Sequence, residues 1–69
     1  MNIKAKESFT KTRMETGLSM NQLAAKASVP VSVVSRMEKG KSIVPKTAKA
    51  ISKALNKSFE ELFIIEKGE

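Results

Sequence analysis

The chain contains no cysteine and no histidine. The missing cysteines exclude disulfides and thiolate metal sites, and the missing histidine removes the commonest general base and metal ligand. A chain of 69 residues can build one small hydrophobic core, which leaves little room for an enclosed catalytic cavity. We therefore expect a single domain over residues 1–69 that is not an enzyme and holds neither a metal nor another cofactor.

Long apolar segments are also absent. No run of apolar residues approaches the length that spans a membrane, and the first residues, MNIKAKESFTK, lack the apolar centre of a signal peptide. We expect a soluble cytoplasmic protein with no membrane partner.

Charge is distributed unevenly along the chain. Residues 1–57 contain twelve basic and three acidic residues, for a net charge of +9, whereas residues 58–69 contain one basic and four acidic residues, for −3. A basic body with an acidic end indicates a polyanionic partner that faces the body. A lysine-rich surface that only keeps the protein in solution explains the charge about equally well, so charge alone leaves both interpretations open.

Helix start and stop signals recur along the chain. Gly17 ends the first helical segment, and Pro45 suits the first turn of a later one. Ser19 and Ser58 each have Gln or Glu three residues later, which is the pattern of a capping box. The predicted helices span residues 5–16, 19–27, 45–56 and 58–66, and the last has Phe59, Leu62 and Phe63 as its apolar stripe.

The segment VPVSVVSRMEKG, residues 29–40, resembles a strand because its valines alternate with other residues. Pro30 cannot donate a hydrogen bond to a sheet, and we find no neighbouring strand for it to pair with. As a helix, the segment places Val34 and Met37 on one inward face and ends at Gly40. We therefore predict a short helix here.

The outer side of this short helix has an unusual composition for a surface that meets only water. A DNA major groove offers thymine methyl groups, guanine acceptors and nearby phosphates, which suit apolar, hydroxyl and arginine side chains. Half-burial of the valines, or contact with another protein, is the alternative interpretation. The residues on this side are Val31, Ser32, Val33, Ser35 and Arg36.

The segment TRMETGLSMNQLAAKASVPVSVVSRMEKGK and the later AKAISKALNKSFEELF resemble the Cro/repressor (Xre-type, lambda-repressor-like) helix-turn-helix family. The similarity runs over about residues 9–63, and many matches occur in register. The matching positions are Arg13, Gly17-Leu18-Ser19, Leu23-Ala24, Ser35-Arg36, Glu38, Gly40, Pro45 and Ala54-Leu55-Asn56.

The resemblance implies an all-α, compact five-helix domain, with room for a short C-terminal extension or strand. Its helix-turn-helix would occupy about residues 20–39, and the helix at 31–39 would enter the major groove. By the same resemblance, bases would be contacted by Val31, Ser32 and Arg36 with Val33 and Ser35 nearby, and phosphates by Ser19, Asn21, Lys39, Lys41, Ser42 and Lys46.

Three positions depart from the family pattern. Met20 replaces a glutamine that contacts phosphate, Ser28 replaces a glycine in the turn, and Pro30 replaces a serine or threonine cap. These departures leave room for a member that binds DNA weakly or has changed partners.

The C-terminal segment FIIEKGE contains three consecutive apolar residues, and one helix face cannot bury them all. Either the end frays, or Ile64 or Ile65 packs into the core of a monomer, or the segment covers a second subunit. Family members often dimerise through this region. The predicted dimer contacts are Phe59, Phe63, Ile64 and Ile65, together with Ile43 and Val44 in the loop before the helix at residues 45–56. Residues 64–69 form a tail that is expected to contact the second subunit.

The function that the resemblance implies is sequence-specific binding of double-stranded DNA by a bacterial or phage transcriptional regulator. We expect a Cro-like homodimeric repressor on a palindromic operator. One alternative is the autoregulating antitoxin of a toxin–antitoxin pair, which also binds a partner protein. Another is a protein-interaction module that has lost DNA binding.

Arg13 and Glu38 match a pair that in the family forms a structural ion pair between helix one and helix three. Removing one partner of a buried pair costs roughly 3–5 kcal/mol. We therefore predict that Glu38→Ala lowers the melting temperature markedly, as measured by circular dichroism. An unchanged melting temperature would defeat this assignment.

Overall fold

The computed structural model describes residues 2–66, in which five helices and a small sheet surround one core. No helix in this range is long and apolar enough to cross a membrane. The elements are β1 (Asn2–Ala5), α1 (Phe9–Glu15), α2 (Met20–Ala27), α3 (Val31–Glu38), α4 (Pro45–Leu55), α5 (Phe59–Leu62) and β2 (Phe63–Glu66). The largest fully buried side chains are those of Phe9, Leu23, Val34, Met37, Ile51, Leu62 and Phe63.

Both predicted capping boxes are confirmed. The Ser19 N–H donates to Gln22 Oε1 at 2.9 Å, and the Gln22 N–H donates to Ser19 Oγ at 3.1 Å. At the start of α5, the Ser58 N–H donates to Glu61 Oε1 at 3.0 Å, and the Glu61 N–H donates to Ser58 Oγ at 3.3 Å. Each box satisfies backbone donors that the first turn of a helix leaves without partners, so α2 and α5 begin at defined residues.

The fold is mostly helical and not all-α, because its two ends form an antiparallel sheet. Asn2 lies opposite Glu66 and Ala5 lies opposite Phe63. The predicted helix start at Ala5 is therefore wrong. Pairing with a strand some sixty residues away overrides the local helix preference of this segment, which sequence patterns cannot anticipate.

The last predicted helix is also too long, since α5 ends at Leu62 and β2 begins at Phe63. Phe63 is only 2% exposed, and its ring centroid lies 5.9 Å from that of Phe9. Phe63 thus closes the core of its own chain, so almost none of its side chain is available for the predicted contact with a second subunit. Ile64 and Ile65 are 42% and 52% exposed, so neither packs into this core. Of the tail at 64–69, residues 67–69 lie outside the described residues.

A buried ion pair connects α1 to the end of α3. Arg13 is 7% exposed, and its Nε donates to Glu38 Oε2 at 2.6 Å while Nη2 donates to Oε1 at 3.3 Å. The third nitrogen, Nη1, donates to the Leu18 carbonyl at 2.7 Å. One guanidinium therefore holds α1, the turn before α2 and the C-terminal end of α3 together.

The turn between α2 and α3 keeps the left-handed geometry that glycine favours, although Ser28 occupies it. Ser28 has φ 60° and ψ 42°, a conformation that costs a residue with a side chain roughly 1–2 kcal/mol. Its N–H still donates to the Ala25 carbonyl at 3.2 Å, so this carbonyl in the last turn of α2 has a hydrogen-bond partner. The substitution of glycine by serine therefore leaves the turn in place at an energetic cost.

We predict that Ser28→Gly stabilises the protein by about 0.5–1 kcal/mol. Glycine adopts the positive φ without strain, and the greater backbone entropy of glycine in the unfolded chain offsets only part of this gain. The measurement is the midpoint of urea unfolding. Ser8→Gly is the matched control, since Ser8 has φ −78° and should lose stability. A loss of stability in both variants would contradict the prediction.

Candidate nucleic-acid interface

Two short helices, α2 and α3, meet at the Ser28 turn and pack through apolar residues. Leu23, Ala24 and Ala27 of α2 and Val34 and Met37 of α3 are all buried. The Val29 N–H donates to the Ala24 carbonyl at 3.0 Å and closes the end of α2. The relative orientation of the two helices is thus fixed by core packing, and the opposite side of α3 is left on the surface.

The outer side of α3 brings together part of the predicted base-contact set. Val31 is 42% exposed, and Ser32 and Arg36 are exposed as well. Ser32 and Arg36 are four residues apart, so they lie on one face of the helix. Val33 and Ser35 are half-buried, and Val33 packs against the core, so these two lie at the margin of the surface.

Arg36 borders a cleft of about 500 Å³ between α3, the following loop and the start of α4. Val33 and Ser42 also line this cleft, as do three residues absent from the predicted site, Asn2, Pro45 and Thr47. Thr47 directly follows Lys46, a predicted phosphate contact, so its position in the first turn of α4 could have indicated it. Asn2 is brought here by the pairing of β1, for which the sequence offered no signal.

The residues predicted to contact phosphates occupy three sites around α3 and are all exposed. The first turns of α2 and α4 contain no acidic residue, so the positive ends of both helix dipoles are free of carboxylates. Backbone N–H groups at such helix starts suit anions. Ser19 and Asn21 lie at the start of α2, Lys39, Lys41 and Ser42 follow α3, and Lys46 lies at the start of α4.

A family model for helix-turn-helix domains matches residues 11–62, which include α2, α3 and α4. The chain belongs to the Xre/lambda-repressor-like helix-turn-helix family. This is a family of DNA-binding regulators and is not typically enzymatic. A search of curated proteins finds no match to the chain.

Two departures from the family pattern have a clear geometry in this helix-turn-helix domain. Met20 is the first residue of α2 and is 37% exposed, so a thioether replaces an amide at the surface. Pro30 is the N-cap of α3 with extended backbone, φ −63° and ψ 144°, and its carbonyl accepts a hydrogen bond from the Val33 N–H at 3.0 Å. Pro30 therefore begins the helix without a side-chain cap.

The predicted dimer contacts fall into two groups in the helix-turn-helix domain. Val44 is 60% exposed, and Ile64 and Ile65 are exposed beside each other on β2. Ile43 and Phe59 are half-buried and pack against the core. The Ile43 N–H also donates to the Ile3 carbonyl at 2.9 Å, which joins the loop after α3 to the edge of β1.

The different burial of two valines on α3 gives a prediction. Val33→Ala removes methyl groups that pack on the core and should lower the free energy of unfolding by about 1 kcal/mol. Val31→Ala, the matched control, should stay within about 0.5 kcal/mol of the wild type because Val31 is exposed. Urea unfolding measures both, and equal losses would contradict the assigned orientation of α3.

Proposed function

We propose that the protein is a sequence-specific transcriptional regulator that binds double-stranded DNA as a Cro-like homodimer and represses by occluding a promoter. The observation that carries this proposal is the outer side of α3. Val31, Ser32 and Arg36 are exposed there, while the inner side of the same helix is fixed in the core. A recognition helix that enters the major groove has this division of faces.

The exposed side chains of α3 suit the chemistry of base edges. The Arg36 guanidinium can donate two hydrogen bonds to O6 and N7 of guanine, which is worth roughly 1–3 kcal/mol of discrimination. The Val31 methyl groups can pack on a thymine methyl group, and the Ser32 hydroxyl can donate or accept. Val33 and Ser35, at the margin of the surface, would contribute less.

Phosphate contacts would supply most of the affinity. Lys39, Lys41 and Lys46 carry the positive charge, and the polar side chains of Ser19, Asn21 and Ser42 can add hydrogen bonds from exposed positions. Each neutralised phosphate releases counterions, so affinity should fall steeply as salt is raised. These contacts set the register of α3 on the duplex, and the base contacts select the sequence.

The second strand offers a surface for the homodimer. Within residues 2–66, β2 pairs with β1 alone, so its other edge presents backbone groups that a second β2 can bind. Two-fold pairing of the β2 strands would make a four-stranded sheet and cover Ile64 and Ile65. Such a dimer would present two copies of α3 to half-sites about 34 Å apart on a palindromic operator.

A second candidate is a member with a protein partner, either an autoregulating antitoxin or an interaction module that has lost DNA binding. The observation that favours it is exposed apolar surface around the DNA-facing elements. Met20 is 37% exposed at the start of α2, and Val44 is 60% exposed beside the cleft that contains Arg36. Neither side chain contributes a hydrogen bond to phosphate.

Selection of the purified protein against a random duplex library tests the main proposal. We predict enrichment of a palindrome with half-sites one helical turn apart, and relaxation of one base position per half-site in Arg36→Ala, by roughly 1–3 kcal/mol. Lys11→Ala is the control, because Lys11 is exposed on α1 and lies outside the predicted contact set.

Three outcomes would contradict parts of this proposal. If no sequence is enriched, the protein is not a sequence-specific regulator, and the protein-partner candidate takes its place. If a single half-site is enriched without symmetry, the homodimer is wrong. Sedimentation at micromolar concentration tests whether the protein is a homodimer in the absence of DNA. A single species of 7.6 kDa would show that the free protein is a monomer.

A further inference from the structure

A second groove runs along α4 to the start of α5. It has a volume of about 680 Å³ and is lined by three lysines, Lys49, Lys53 and Lys57, with Pro45 and Phe59 among its other residues. Within the described residues, Pro45 lines both this groove and the cleft beside Arg36, so the two meet at the start of α4. No residue of α3 is among the described residues that line the groove.

The three lysines form a row of positive charge. Lys49 and Lys53 are one helical step of four residues apart, about 6 Å along α4, and Lys57 follows just after the helix. In the described part of the chain, the ion pairs are Lys4–Glu66 and Arg13–Glu38, and neither involves this row. Like charges at this spacing repel each other slightly, so an acidic partner would relieve the repulsion.

An aromatic ring gives the same groove an apolar end. Phe59 is half-buried against Phe63, with ring centroids 5.3 Å apart, and the rest of its surface lines the groove. Ser52 adds little polarity to the groove wall, because its hydroxyl donates to the Ala48 carbonyl at 2.9 Å. The groove thus combines cations along one side with an apolar anchor point at one end.

We propose that this groove docks an acidic amphipathic segment of a partner protein, whose carboxylates face Lys49, Lys53 and Lys57 and whose apolar side chain packs on Phe59. Such a segment matches both the charge and the apolar end of the groove. Because no residue of α3 lines the groove, this recognition would leave α3 free.

DNA fits this groove less well than an acidic peptide. A phosphate backbone has no aliphatic side chain for Phe59, whereas a peptide supplies one next to its carboxylates. Glu60 and Glu61 follow Phe59 directly and repel any anion at this end of the groove. An amphipathic peptide places its apolar side there and its carboxylates beside the lysines, whereas a phosphate backbone is charged along its whole length.

A second copy of the chain is also a poor occupant, because the chain carries a net charge of +6 and three of its seven carboxylates are engaged within their own chain. Glu38 pairs with Arg13, and Glu66 pairs with Lys4 at 3.1 Å. The Glu61 carboxylate accepts hydrogen bonds from the Ser58 backbone N–H at 3.0 Å and from the Ser58 hydroxyl at 3.1 Å, and these bonds hold its pKa below its ordinary value. A different protein is left as the source of the acidic segment.

The test uses the full-length protein and a fluorescein-labelled peptide of about 15 residues, with glutamates on one helical face and leucines on the other. A scrambled peptide of the same composition is the probe control. The groove variant is Lys49→Glu with Lys53→Glu. The matched protein control is Lys39→Glu with Lys41→Glu, which changes the net charge equally but on the proposed DNA-facing side. Fluorescence anisotropy gives the affinities.

We expect the groove variant to lose about tenfold or more in affinity for the amphipathic peptide, and the control variant to lose much less. For random-sequence duplex DNA, we expect the control variant to lose more affinity than the groove variant. Lys49→Gln with Lys53→Gln should reproduce the loss of peptide binding if the double glutamate variant unfolds by circular dichroism.

Several results would overturn the docking proposal and leave the proposed DNA binding unaffected. These are no binding of the amphipathic peptide by the wild type, equal binding of the scrambled peptide, or equal losses in the two variants. A loss of DNA affinity in the groove variant that exceeds the loss in the control would assign the lysine row to phosphates instead.

Discussion

The position of α3 depends on the ion pair between Arg13 and Glu38. Because Glu38 is held inward by a guanidinium that also bonds the Leu18 carbonyl, the helix cannot rotate about its axis without leaving charges buried and unpaired. Arg36 lies two residues earlier, about 200° around the same helix, and is therefore directed outward. Desolvation offsets much of the attraction within a buried pair. We infer that its main consequence is the fixed orientation of the outer face of α3.

Local signals in the sequence are sufficient to predict where the central helices begin and end. The predicted start of α2 came from a capping box that satisfies specific donors, and the ends of α3 and α4 came from Gly40 and Asn56, which take positive φ values of 85° and 56°. These signals act over three or four residues and need no tertiary contact. The strands are different, since Asn2 and Glu66 become partners only after the helices between them have packed.

The same distinction separates the parts of the candidate site. The exposure of Arg36 followed from helical periodicity, because Val34 and Met37 define the inward face. The half-burial of Val33 depends on what packs beside α3, and the place of Asn2 in the cleft depends on β1. Helical periodicity therefore predicts which residues point outward, whereas the margin of the surface is determined by long-range contacts.

Net charge is weaker evidence for DNA than the +9 of residues 1–57 suggests. Arg13 is used inside the fold and Lys4 is paired across the sheet, so neither faces a polyanion. Lys49, Lys53 and Lys57 line a groove that is separate from α3. The basic residues that remain near α3 are few. Their exposure beside helix starts that contain no carboxylates matters more than their number. Where the positive charges lie, and what lies next to them, distinguishes the proposed phosphate surface from the proposed peptide groove.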